Sequence, residues 1–167
     1  MVIRKLTKSD AEDYRRIRLK ALYKNPDSFG TTYHEEAIKT IEQFRDRIPV
    51  NNNNFILGCF EDKELIAIVS LHQESRIKLR HKAYITSMYV RQEYRGRGIG
   101  KLLLNELIER AKAIDEVEIL LLDIVKNNFL AKQIYLSLGF QIYGREEMAY
   151  KFNNQYFDLE FMCLAIK

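Results

Sequence analysis

The sequence predicts a mixed α/β fold, one domain over residues 1–167, with a central sheet of about seven strands flanked by about four helices. Three observations carry that expectation. Helical and strand-like hydrophobic periods alternate through the middle of the chain, a pattern that lays helices on a sheet. The run "VEILLLDIV", residues 117–125, is almost continuously apolar, as suits a strand covered on both faces. Hairpin patterns lie to either side, with no internal repeat or linker, and 167 residues suit one core.

Taken in order, "VIRKL" reads as a first strand. Residues 9–26 read as a helix. Ala11, Tyr14, Ile17, Ala21 and Leu22 recur at helical spacing, Ser9 with Glu12 forms a capping box, and Pro26 ends it. Residues 29–49 contain a second helix, with Ala37, Ile38, Ile41, Phe44 and Ile48 on one face and Pro49 as the stop. Asn51 to Asn54 make a polar loop. "FILGCFE" and "LIAIVSLH" flank "DKE" as a hairpin. "AYITSMYV", residues 83–90, is a β-branched and aromatic fourth strand.

Ile99, Leu102, Leu103, Leu107 and Ala111 then mark a third helix, and residues 117–125 form the buried strand. "NNFLAKQIYLSLGF" is a short Asn-capped helix closed by Gly139 at C′. "YKFNNQYFDLEFMCLAI" is a last hairpin turning at Asn153 and Asn154.

Bulk composition excludes several classes. Hydrophobic content of 47% and charged content of 30% are those of an ordinary globular chain. No basic-then-apolar leader and no bilayer-length apolar run is present, so the expectation is a cytoplasmic protein with no membrane partner. Cys59 and Cys163 are too few for a disulfide framework and read as buried free thiols; no metal site is expected. A net charge of +4 suits an anionic ligand but not nucleic acid, which calls for a stripe of Lys and Arg with interleaved aromatics. The nearest candidate, "RIKLRHK", reads as a solvated hairpin end.

The functional signal is "RGRGIG". Three of the seven glycines alternate at Gly96, Gly98 and Gly100, between basic residues, where a strand passes into a helix. A helix N-terminus presents unpaired N–H groups and attracts anions. Glycines there let successive N–H groups converge on phosphate oxygens, with φ > 0 expected at Gly98 and Gly100. Arg95, Arg97 and Lys101 add charge. A Walker loop does not fit, because it needs four residues between its glycines where Gly96 and Gly100 have three, and Leu102 follows Lys101. A dinucleotide fingerprint fails as well, because Lys101 stands where its third glycine belongs.

"RGRGIG" resembles the R-x-x-G-x-G/A signature of the GNAT superfamily of N-acetyltransferases. The likeness continues in "MYV" before the loop and in "NFLAKQIYLSLGF", residues 128–140, which resembles the family's N-x-x-A-x-x-x-Y-x-x-x-G-F. The matched core runs from about Ala83 to Phe140, and the first fifty residues match only in outline. The resemblance implies a GNAT-like fold and an enzyme that moves the acetyl group of acetyl-CoA to a primary amine by direct attack in a ternary complex.

The resemblance also implies site residues. Arg95, Gly96, Arg97, Gly98, Ile99, Gly100 and Lys101 would hold the CoA pyrophosphate. The backbone of Met88, Tyr89 and Val90 would hold the pantetheine arm, with an N–H of Met88 or Val90 polarising the thioester carbonyl. Asn128 and Ala131 would lie against the cofactor, and Tyr135 would be the general acid. For the general base, His34, Glu35, Glu36, His72, Glu74 and His81 stay open. Tyr33, His34 and Glu35 are the first candidates to face the acceptor, a small amine or a protein amino group. A homodimer is compatible with the family. Two other readings compete: a non-catalytic CoA-binding or sensor module of the same fold, and an RNA-binding protein.

Overall fold

In the computed structural model, which describes Met1 to Lys167, seven strands form one mixed sheet in the order β1-β2-β3-β4-β5-β7-β6. The strands are β1 (Val2–Lys5), β2 (Asn54–Glu61), β3 (Glu64–Gln73), β4 (Lys82–Val90), β5 (Ile119–Val125), β6 (Gln141–Phe152) and β7 (Gln155–Ala165). The helices are α1 (Ala11–Lys24), α2 (Tyr33–Ala37), α3 (Ile41–Asp46), α4 (Ile99–Lys112) and α5 (Phe129–Ser137). Only β4 and β5 pair in parallel, as their α4 crossover requires.

Period-two alternation divides the core between the two faces of the sheet. On one face, Leu103, Leu104 and Leu107 of α4 and Tyr135 of α5 pack on Val69, Ile85, Leu120 and Leu122. On the other, Tyr14 and Ile17 of α1 and Phe44 of α3 pack on Ile56, Ile68 and Tyr89. Both hairpins turn through pairs of residues in the left-handed region, Asp62–Lys63 (φ 48° and 71°) and Asn153–Asn154 (φ 48° and 59°), the type that matches strand twist.

Five expectations are corrected. The second helix is two, α2 and α3, because two capping boxes interrupt the apolar period: Thr32 caps with Glu35, and Thr40 with Gln43. Ile38 falls at the break and is exposed rather than on a core face. The box before α1 is Thr7 with Asp10, not Ser9 with Glu12. The last hairpin begins at Gln141, because β6 is an exposed edge strand with a bulge between Glu146 and Tyr150 and shows no apolar alternation. Finally, Cys59 is buried, but Cys163 is only half-buried.

Candidate active site

The site begins where β4 and β5 part. Their pairing covers only Lys82–Tyr84 against Ile119–Leu121, although both strands continue beyond it. Further along, the register of β4 against β3 slips between Ile68 and Ser70, and Ser87 takes φ 55°. This bulge bends β4 away from β5. The far half of β4 therefore keeps one edge unpaired, and Met88 and Val90 line the cavity that opens there, of about 610 Å³.

The glycine loop closes one side of that cavity. Gly96 and Gly98 have φ of +78° and +75°, and a Cβ at either would meet nothing within 4 Å. The loop surface is thus open space bordered by backbone. Gly98 is the N-cap of α4. None of the N–H groups of Gly96, Arg97 and Gly98 finds a backbone acceptor, and those of the first helical turn have no intrahelical one. Gly100 differs from expectation. It lies inside the helix without positive φ, and a Cβ there would come 3.3 Å from Met88 Cε, so it permits close packing of α4 on β4.

Ion pairs and hydrogen bonds brace the loop. Arg91 and the Tyr94 hydroxyl both bond Glu64, and Lys20 pairs with Glu93 at 2.5 Å. Arg95 is a strut rather than a free cation: Nε donates to the Val90 carbonyl at 3.0 Å and Nη2 to Asn25 at 2.9 Å. Arg97 turns out of the cavity, 3.5 Å from Glu61. Lys101 lines the cavity and is the loop's remaining charge there.

Helix α5 forms the opposite wall. Asn128 Oδ1 caps it, accepting from the Ala131 N–H at 3.3 Å, and both residues line the cavity. Tyr135 lines it too, 5% exposed, its ring edge-on to Phe140 at 5.6 Å. Burial pushes its phenol well above the usual range, and nearby Asp123 adds to the shift. Tyr89 points to the opposite core, as alternation requires, with its hydroxyl buried and unpartnered. Ile99 is buried beneath the loop.

Cavity walls thus bring together Met88, Tyr89, Val90, the loop, Asn128, Ala131 and Tyr135, and do not include Tyr33, His34 or Glu35. Tyr33 stacks edge-on with Tyr23 and His34, and the Glu35 carboxylate is engaged by Thr32 at 2.7 Å. Glu36 is buried between Lys39 and Arg47. Sequence reasoning missed Asp123, an acid inside the apolar run of β5, and Tyr150, whose hydroxyl donates to it at 3.4 Å. The available signal was a charge interrupting a buried strand. Another cleft, of about 620 Å³ and lined by Lys5, Phe55 and Arg110 among others, has neither glycine loop nor parted strands.

This geometry fits a long anionic ligand with a pyrophosphate: an N–H cradle at one end and an unpaired strand edge beyond it. Comparison with known proteins agrees. Residues 3–161 match the acetyltransferase (GNAT) domain family. L-methionine sulfoximine/L-methionine sulfone acetyltransferases of Pseudomonas paraeruginosa and Pseudomonas aeruginosa are 36% identical over 80 residues, 48% of this chain and 46% of theirs. The match therefore spans about half the length of these curated relatives. Among solved structures, a GNAT-family acetyltransferase from Streptococcus pneumoniae superposes with a TM-score of 0.90 at 23% identity, over 99% of both chains. A probable acetyltransferase from Staphylococcus epidermidis does so with a TM-score of 0.82 at 26% identity, also over 99% of both. The yncA protein of Salmonella typhimurium, solved with its cofactor acetyl-CoA, gives a TM-score of 0.83 at 20% identity, over 100% of this chain and 94% of that one. The chain belongs to the GNAT family of acetyltransferases, enzymes whose acetyl donor is acetyl-CoA.

Proposed function

We propose that this protein transfers the acetyl group of acetyl-CoA directly to a primary amine, both substrates being held in one ternary complex. The observation that carries the reading is the convergence, on one cavity, of the open glycine loop, the parted β4–β5 edge and Tyr135. Acetyl-CoA supplies a thioester whose carbonyl carbon is attacked by the amine. The N–H groups from Gly96 to Lys101 hold the pyrophosphate, with Lys101 adding charge. The free edge of β4 at Met88 and Val90 aligns the pantetheine amides as an added strand would, and one N–H there polarises the carbonyl.

The amine attacks in its neutral form. As the C–N bond forms and the C–S bond breaks, Tyr135 donates its proton to the departing sulfur, and the proton that the nitrogen gives up to solvent restores the phenol. The raised pKa of Tyr135 suits that donation, because a donor must stay protonated at the working pH. Asn128 fixes the start of α5 and so the position of Tyr135, while Ala131 keeps that wall low. The acceptor enters from the α1–α2 face, with Tyr33, His34 and Glu35 at its outer rim. Proximity contributes to the rate as well, because the amine and thioester meet already oriented.

A non-catalytic CoA-binding module leaves the cavity-lining Tyr135 without a task. An RNA-binding surface is disfavoured by Arg95 and Arg97, whose guanidinium groups are directed at Val90, Asn25 and Glu61. Thiol release from acetyl-CoA across a panel of amines tests the reading. Release is expected with primary amines and not with the matching alcohols. Tight CoA binding without release for any amine would overturn the transfer.

A further inference from the structure

We propose that Lys132 is a positioning residue for acetyl transfer: its ion pair with the buried carboxylate of Glu160 sets the first turn of α5, and through it Tyr135, against the cofactor cavity. The inference rests on the acid reading of Tyr135 given above and adds the device that aims it.

Helix α5 has nine residues. That is too few for stability in isolation, so its placement depends on what it touches. Its first turn touches little. No residue from Lys126 to Ile134 is fully buried, and Phe129 and Leu130 stand exposed. Of the apolar residues in this stretch, Ala131 and Ile134 alone pack against the core. Yet Asn128, Ala131 and Tyr135 belong to one wall of the cavity. The Asn128 cap joins the turn to itself and not to the sheet.

Glu160 supplies the tie to the sheet. It lies on β7, 1% exposed, opposite Ile124 of β5. Met162, two residues along and on the same face, packs in the core beneath α4 and α5. Lys132 reaches down from α5, 17% exposed, and places Nζ 2.5 Å from Oε2. On the β6 side, Arg145 Nε stands 3.2 Å from Oε1, with 62% of its own side chain exposed. Lys132 is thus the enclosed partner and Arg145 the outer one. Oε2 receives no aligned hydrogen bond, so its contact with Lys132 is one of charge at close range.

Stability does not explain such a pair. Taking a carboxylate and an ammonium out of water costs about as much as their attraction returns, and well-packed apolar residues often serve as well. Position does explain it. Lys132 stands three residues before Tyr135, and residues so spaced are neighbours on a helix surface. Ala131, next to it, lines the cavity, whereas Lys132 lies outside that wall. A charge fixed to the sheet at Lys132 therefore sets both the height and the rotation of the turn that presents Ala131 and Tyr135. The exposed pair Lys126–Asp158, at 3.2 Å, secures only the loop before α5.

The test is a double-mutant cycle on the full chain. It is read as single-turnover thiol release at saturating acetyl-CoA, with the fastest primary amine of the panel above. Glu160→Gln keeps the volume and removes the charge, and Lys132→Met keeps the stem. Each should slow release ~10–100-fold, the scale of a misplacement approaching about 1 Å. CoA affinity, set by the glycine loop and the β4 edge, should change by about threefold or less. In a Tyr135→Phe background the same substitutions should slow release by about twofold or less, because the group they aim is gone. Lys132→Arg, which keeps the charge, should retain most of the rate. Equal losses in both backgrounds, or a lowered melting temperature with an unchanged rate, would overturn the positioning role. Tyr135→Phe alone separates the two failures. An unchanged rate there removes the acid reading and this inference with it. A slowed Tyr135→Phe beside an unaffected Glu160→Gln overturns the positioning alone. Should Glu160→Gln not fold, Lys132→Met at its partly exposed position completes the cycle.

Discussion

Replacing Tyr135 with Phe removes one oxygen and nothing else from the cavity wall. The ring stays in its core, 5% exposed and edge-on to Phe140 at 5.6 Å. Burial of the hydroxyl opposes rather than aids stability, so Tyr135→Phe should change unfolding free energy by less than about 1 kcal/mol. Loss of acid catalysis lowers a rate by ~10²–10⁴-fold, and the lower end applies here because a thiolate near pKa ~8.5 leaves fairly well. The assay is single-turnover thiol release, which slow product release does not mask. The pH dependence adds a check. Burial and Asp123 raise the phenol above its ordinary value, so the protonated donor persists through pH 10 instead of being lost there. The wild-type single-turnover rate should therefore show no falling limb from Tyr135 below pH 10. An unchanged rate in Tyr135→Phe, or a large loss of stability with activity kept, would refute the acid role and leave Tyr135 as a core aromatic.

Gly98→Asn should keep the fold, because Asn tolerates the left-handed region, while its side chain enters the open space over the loop. CoA affinity should fall ~10–100-fold by calorimetry, as for one lost hydrogen bond to an anion. Gly98→Val adds strain at φ +75° and should lower the melting temperature as well. Asp10 joins the start of α1 to β1 through two bonds to Arg4, at 2.7 and 2.8 Å. That pairing, with help from Thr7, lowers its pKa from 3.8 to about 2. A lowered folded-state value stabilises above the unfolded pKa and is lost as pH falls through the folded one. Asp10→Asn should thus cost about 1–2 kcal/mol at pH 7, discounted for the partial exposure of Arg4, and almost nothing at pH 2. Urea melts at the two pH values measure both.

The middle of the chain was legible because its signals are local and strong. Residues 117–125 show an apolar run, and the spacing from Ile99 to Ala111 marks one helix face. Gly139, with φ +92°, closes α5 as its sequence indicates. The parts that were not legible depend on tertiary placement. Thr32 and Thr40 cap two helices, but the apolar period runs through both and conceals the break. Strand β6 faces solvent along most of its length, so no alternation marks it. At the site, the glycine loop was visible, but the use of Arg95 as a strut depends on Asn25, seventy residues away in sequence. The surroundings of Asp123 come from β4, β6 and β7, which no spacing within β5 reveals.

The assignment of the cavity is tested most directly by titrating CoA into labelled protein and following backbone amides by NMR. Two clefts of similar volume compete for the ligand. The largest shifts are expected at Gly96, Gly98, Ile99 and Gly100, with a second group at Met88 and Val90 on the free edge of β4. Residues around Lys5, Asn52 and Arg110 should stay in place. Shifts concentrated in that second cleft, with a silent glycine loop, would contradict the placement of the cofactor.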